Sequence, residues 1–183
     1  MQTVTEGLAI DVETTGLNIE NNEIVEIGLI AFDKEFNFLD SFRSYIRPEK
    51  EWSIQPKAME INGLSIEFLR KQPRKFEVNR FLLDWLLEHY NENKISLMGH
   101  SCLTLDIPMF SNLIGEENFK KFFNRTVRDS KIFAQGLIDS NKINVLNSHL
   151  KTLCNEFGIK FGEHTALGDA QATLNCYKTM INL

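Results

Sequence analysis

Residues 8–17 read LAIDVETTGL, placing Asp11 and Glu13 inside what is otherwise an apolar strand. A strand sends residues two apart to the same face, with anchor points roughly 6–7 Å apart. Two carboxylates so placed repel one another unless a cation or protons lie between them. A chain that folds around this strand has to neutralise the pair, and that need restricts both the architecture and the chemistry.

The surrounding pattern is that of an α/β chain. Residues 4–12 and 23–33 read as strands joined by the polar turn TGLNIENN. The alternation in 36–46 predicts a third strand of an antiparallel meander. RPEKEWSIQP is loop, broken by Pro48 and Pro56, and PKAMEIN is a short helix ending at Gly63. Val78, Phe81, Leu82, Trp85, Leu86 and His89 recur at helical spacing between Pro73 and Tyr90. ISLMGH (95–100) is a short buried strand, and DIPMFSNLI opens a helix with Pro108 in its first turn. RTVRDS reads as a short strand and SKIFAQGLI as a helix capped by Asp129. VLNSHLKTLCNEFGI reads as a helix closed by Gly158. Leu167, Ala170, Leu174, Tyr177 and Ile181 give the last helix one apolar stripe. Three leading strands followed by strands alternating with helices predict a mixed five-stranded sheet flanked by helices, in one domain over 1–183.

Composition narrows the function classes. A formal net charge of −5 gives no global attraction for nucleic acid or an anionic membrane. Phosphates would have to be met by bound metal ions or local Lys/Arg clusters. Cys102, Cys154 and Cys176 are odd in number and far apart, with no zinc-ligand spacing, and read as reduced, mostly buried thiols. No basic n-region leads into an apolar stretch, and no apolar run reaches the roughly 18 residues of a membrane helix. The expectation is an intracellular, cytoplasmic protein with no membrane partner. Lys120, Lys121, Arg125 and Arg128 among Phe119, Phe122 and Phe123 are better explained as a solvated helix face over buried rings than as a stacking surface.

Asp106 and Asp169 are further acids where the apolar pattern would not place them, and His164 lies five residues before Asp169. Five residues turn through about 500° of helix, so Gly162–Gly168 should include a loop that brings His164 to Asp169. Singly, each residue has an ordinary explanation. Asp106 could be an N-cap, Asp169 a first-turn acid, His164 a surface histidine and Glu13 a solvated strand end. Jointly, in this order and with these flanks, they are hard to explain as independent accidents.

IDVETTGL, GHSCLTLDIPMF and HTALGDAQAT resemble, in the same order, the three motifs of the DEDDh (DnaQ-like) 3′→5′ exonucleases. INGLS, VRDSKIFA and LKTLCNEFGI resemble that family's connecting elements, so the resemblance covers nearly the whole chain. It implies a ribonuclease H-like sheet, with Asp11, Glu13, Asp106 and Asp169 holding two Mg²⁺ or Mn²⁺ ions and His164 as general base. It also implies that Thr14, Thr15, Gly16 and Leu17 form a turn binding the terminal nucleotide, with Ile61 and Asn62 beside its base.

The residue types suit the chemistry. Phosphodiester hydrolysis needs a hydroxide near neutral pH and a stabilised 3′-oxygen leaving group, which paired divalent ions supply. Hard oxygen ligands match Mg²⁺ or Mn²⁺, and a histidine titrating near neutrality suits the proton transfer. Two features depart from the commonest pattern: Ser101 stands where the family has Asn, and Asp106 comes six positions after His100 rather than five. That spacing, with Asp-x-Pro following, looks more like the TREX-type branch and favours DNA slightly over RNA. The partner expected is the 3′ end of DNA or RNA. A homodimer and a polymerase partner stay open. The competing readings are an RNA 3′-end-trimming exoribonuclease, a non-catalytic nucleic-acid- or polymerase-binding module on the same fold, and a ribonuclease H-like endonuclease.

Overall fold

The acid-bearing run forms β1 (Gly7–Thr14), the middle strand of a five-stranded sheet. β2 (Ile24–Phe32) pairs with it antiparallel, and β3 (Phe38–Tyr45) pairs antiparallel outside β2. On the other side, β4 (Ile95–Gly99) and β5 (Phe123–Asp129) add in parallel, giving the order β3-β2-β1-β4-β5. The helices are α1 (Pro56–Asn62), α2 (Ile66–Leu69), α3 (Lys75–His89), α4 (Asp106–Ile114), α5 (Glu116–Phe122), α6 (Ser130–Asp139), α7 (Leu150–Phe157) and α8 (Ala166–Ile181). The structure, a computed structural model, describes residues 4–89, 94–161 and 165–183. The mixed sheet expected from the sequence, a meander followed by parallel strands, is the sheet observed.

All nine residues of β2 are buried, which requires cover on both faces of the sheet. On one face Leu8, Ile10 and Val12 of β1 pack with Val78, Leu82 and Leu86 of α3 and with Met109 and Phe110 of α4. On the other, Ala9, Ile30 and Met98 pack against Ala170 and Leu174 of α8. Period-two alternation therefore puts Asp11 and Glu13 on the α8 face, directly in line with Ala9. Gly28, the register partner of Asp11, lets α8 settle there. A Cβ at Gly28 would lie 2.3 Å from the Leu167 nitrogen and 2.4 Å from the Ala166 carbonyl carbon.

Several boundaries differ from the sequence expectation. β1 begins later than residue 4 and runs through Glu13 to Thr14, so both acids are strand residues. α7 starts at Leu150, not 145, because Asn147 Oδ1 accepts from the His149 amide and the Thr152 hydroxyl and so shapes a turn before it. α2 and α5 are short helices that the apolar pattern did not announce. The single stripe expected on α8 is a correction. Ile181 is exposed, whereas Ala172, Cys176 and Met180 are buried against α6 and α7. α8 lies between the sheet and a second helical layer, so it needs two apolar faces.

Other expectations hold. α1 ends at Gly63 and α7 at Gly158, each left-handed at φ 67 and φ 63. Asp129 caps α6 by accepting from the Lys131 and Ile132 amides. The three cysteines are buried and unbridged. Phe122 and Phe123 are buried and Lys120 pairs with Glu116 on α5, as expected of a helix face over buried rings, but Arg125 and Arg128 lie on β5 instead, where Arg128 pairs with Glu6. Among the described residues, no helix is long and apolar enough to cross a membrane.

Phe110 is fully buried one turn below Asp106 on α4, edge-on to Phe119 and Phe123. Phe110→Ala should cost about 3–5 kcal/mol, as for other buried aromatics, read as a lowered urea midpoint at unchanged slope.

A candidate metal centre at the end of the central strand

β1 and β4 pair only from Gly7↔Ser96 to Ala9↔Met98 and then part. The parting opens a crevice at the carboxyl ends of two parallel strands, the usual place for a site in such sheets. Beyond Ala9 the β4 side of β1 has no ladder partner, and the Val12 amide donates instead to Asp106 Oδ1 at 3.2 Å. Asp106 is therefore not the N-cap of α4. That position is Leu105, which makes no side-chain cap, and the Asp106 carboxylate turns back onto β1 between the two strand acids.

From the opposite face, the first turn of α8 brings Asp169 over β1. Carboxylate oxygens of Asp11, Glu13 and Asp169 all lie within 4.8 Å of one another. Asp169 Oδ1 is buried without a hydrogen-bond partner among the described residues. A buried oxygen left so, facing two further carboxylates, fits a divalent cation better than any protein donor nearby. The donor set is all oxygen, the chemistry of Mg²⁺ or Mn²⁺. His164, the expected general base, lies outside the described residues.

Two acids that the sequence reading did not place in the site hold it together. Glu26 is the register partner of Glu13, and its side chain is 1% exposed. It accepts from Arg43 Nε at 2.7 Å and from the Ala166 amide at the start of α8. Asp129, read from the sequence only as a helix cap, also accepts from the amides of Ser101 and Cys102 at 3.1 Å each, anchoring the loop that leads to Asp106. Glu26 carries the same signal as Asp11, an acid in an apolar strand. For Asp129 the loop contacts span 27 and 28 residues of sequence, and nothing local announces them.

Burial and mutual repulsion push the acids toward their neutral forms. Asp11 is raised well above the ordinary carboxylate range by burial and then by the charges of Asp106, Asp169, Glu13 and Glu26. Glu13 rises to about 8 through burial, Glu26, Asp169 and Asp106. Burial carries Asp106 to about 7 against the hydrogen bonds it accepts, and burial with Glu26 carries Asp169 to about 7. Glu26 is raised by burial and held back by Arg43. His100, bonded through Nδ1 to Ser130 Oγ at 2.8 Å, is lowered to about 4 by burial, so it stands neutral beside the crevice.

The turn after β1 is built from its own side chains. Thr14 Oγ1 donates to the Gly16 carbonyl at 2.8 Å, and Thr15 Oγ1 accepts from the Glu23 amide. Gln55 N donates to the Thr15 carbonyl, and the buried Asn62 donates from Nδ2 to the Thr14 carbonyl. These polar side chains face inward and shape the turn. The outward surfaces beside it are Leu17, 76% exposed, and Ile61, 54% exposed, on neighbouring segments joined by the Asn62 contact.

Comparison with known proteins agrees with this arrangement. The RNase_T exonuclease family model matches residues 8–177. DNA polymerase III subunit epsilon of Treponema pallidum (strain Nichols) is 28% identical over 181 residues, covering 94% of this chain and 75% of that protein. Ribonuclease T of Buchnera aphidicola subsp. Baizongia pistaciae is 27% identical, covering 96% and 83%. Among solved structures, Escherichia coli exonuclease I in complex with a dT13 oligonucleotide superposes with a TM-score of 0.75 at 18% identity. That likeness covers 94% of this chain and 40% of exonuclease I, so the chain spans well under half of that larger protein and shares its ribonuclease H-like fold.

The raised carboxylates give a stability prediction. Folded values of about 7 to 8 exceed the unfolded values of 3.8 and 4.5, so the unfolded chain releases its protons first. The stabilisation they contribute is complete below the unfolded values and is lost as pH rises through the folded ones. Metal-free protein should melt lower at pH 8 than at pH 5, and Mn²⁺ should raise the melting temperature more at pH 8. Calorimetric scans at both pH values check it.

Proposed function

The chain belongs to the RNase_T exonuclease family, the DnaQ-like 3′→5′ exonucleases, and from that premise we propose that it trims nucleic acid one nucleotide at a time from the 3′ end. The products are nucleoside 5′-monophosphates. The observation that carries this reading is the convergence of Asp11, Glu13 and Asp169, with Asp106 bonded to the amide between the first two.

Asp11, Glu13, Asp106 and Asp169 would hold two Mg²⁺ or Mn²⁺ ions. When bound, such ions supply an activated water near neutral pH and neutralise charge on the departing oxygen. His164 takes the proton from the attacking water as its oxygen bonds to phosphorus. The bond from phosphorus to the 3′-oxygen then breaks, and that oxygen is protonated. The turn of Thr14, Thr15, Gly16 and Leu17 receives the terminal nucleotide, although the Thr15 amide itself is taken by the Glu23 carbonyl, and exposed Leu17 and Ile61 flank its base. Asn62 keeps their two segments in register through the Thr14 carbonyl. DNA is the preferred substrate, on the strength of the six-residue interval from His100 to Asp106 and the Pro108 that follows.

The test compares end-labelled DNA and RNA oligonucleotides with either end blocked, in Mg²⁺. Mononucleotides should appear only when the 3′ end is free, and faster from DNA. A clean preparation inactive on both would overturn the assignment, and cleavage of a circular substrate would point to the endonuclease reading. Asp11→Ala should abolish turnover while the protein stays folded, since the change relieves acid crowding. His164→Ala should lower kcat by about 10²–10⁴-fold, the usual worth of a positioned base, with Mn²⁺ binding retained.

A further inference from the structure

We propose that Glu26, clamped by Arg43, is a positioning residue that fixes the first amide of α8 and so delivers Asp169 to Asp11 and Glu13. The inference rests on the exonuclease reading above for what those acids do.

Glu26 has no ordinary reason to be where it is. It occupies a strand buried along its whole length, on the same face as Asp11 and Glu13 and directly opposite Glu13. There it adds to the repulsion that raises both Glu13 and Asp169. An apolar residue would be the stabilising choice for packing alone. The carboxylate is not one of the three whose oxygens cluster within 4.8 Å. Its oxygens are engaged by the Arg43 guanidinium and the Ala166 amide.

Those contacts solve a placement problem. The first amides of a helix have no partner within it. In α8, Glu26 takes the Ala166 amide and Thr165 Oγ1 takes that of Gly168. Asp169 follows in the same turn. The helix start also rests on Gly28, where a Cβ would meet Leu167 and Ala166 backbone at 2.3–2.5 Å. Two neighbouring β2 positions on one face, an acid and a glycine, therefore set the height and register of α8 over the strand acids. Arg43, on β3, orients the Glu26 carboxylate and opposes the burial that favours its neutral form, and is itself held by Tyr45 through a hydrogen bond to its hydroxyl and a guanidinium placed over its ring.

The experiment measures Mn²⁺ binding by calorimetry, alongside kcat and KM on one labelled oligonucleotide, in the full chain. Glu26→Ala should weaken Mn²⁺ binding by about 10–100-fold, as loss of a contact behind a metal ligand does, and lower kcat while KM stays within about twofold. Glu26→Gln keeps an oxygen for the Ala166 amide and should recover most of the affinity. Gly28→Ala, which displaces the same helix start while leaving every acid in place, should behave like Glu26→Ala. Wild-type Mn²⁺ affinity in folded Glu26→Ala would overturn the proposal, as would a Glu26→Gln as weak as Glu26→Ala, since charge alone would then be responsible. If Glu26→Ala fails to fold, wild-type affinity in Gly28→Ala overturns it. The binding measurement does not depend on turnover, so an inactive wild type would sink the exonuclease reading without deciding this one.

Discussion

Carboxylate repulsion is the constraint around which the rest of the structure is arranged. Asp11, Glu13 and Asp169 converge within 4.8 Å, with Asp106 and Glu26 close enough to raise their neighbours further. In a half-buried setting like charges at such separations are worth several kcal/mol, a large fraction of the whole stability of a domain this size. That cost is tolerated because the acids are fixed by groups that cannot relax away: a strand in mid-sheet, and two helix starts bonded to the sheet through backbone amides.

The backbone attachments follow from the mixed topology. Because β1 pairs antiparallel on one side and parallel on the other, its two edges diverge differently at the carboxyl end. On the β4 side the ladder stops early and frees the Val12 amide, which captures Asp106. On the β2 side the ladder continues, and Glu26 and Gly28 receive α8. Asp106 and Asp169 thus approach from opposite layers toward one strand, each on the first turn of a helix. In each case a buried sheet carboxylate holds the chain just before it: Asp129 ahead of α4, and Glu26 at the start of α8.

This division explains what could be read from the sequence. Acids within apolar runs are visible in any window of ten residues, so Asp11, Glu13, Asp106 and Asp169 stand out, as do the strands and most helices that carry them. The two apolar faces of α8 are harder to see. Ala172, Cys176 and Met180 look like ordinary helix fillers until a second helical layer is known to cover them. The start of α7 at Leu150 is hidden for a similar reason: Asn147 competes with the helix for its own backbone, a local contact invisible to hydrophobic spacing. Glu26 shows the opposite failure. Its signal was as plain as that of Asp11, but strand pairing is needed to see which acid it faces and which helix it holds.

The same logic accounts for the departure at Ser101. In the family pattern an asparagine occupies this position, and a serine there looks at first like a lost contact. Ser101 is exposed and adopts a left-handed conformation at φ 63, one that asparagine enters more readily than serine. What the residue contributes inward is its amide, bonded with that of Cys102 to Asp129. Any side chain that tolerates the turn preserves that bond. The longer interval from His100 to Asp106 includes the turn over 102–105, downstream of the anchor and upstream of the helix. Asp106 reaches the Val12 amide at one end of the loop, and the Ser101 and Cys102 amides hold Asp129 at the other, so both ends are fixed through backbone groups.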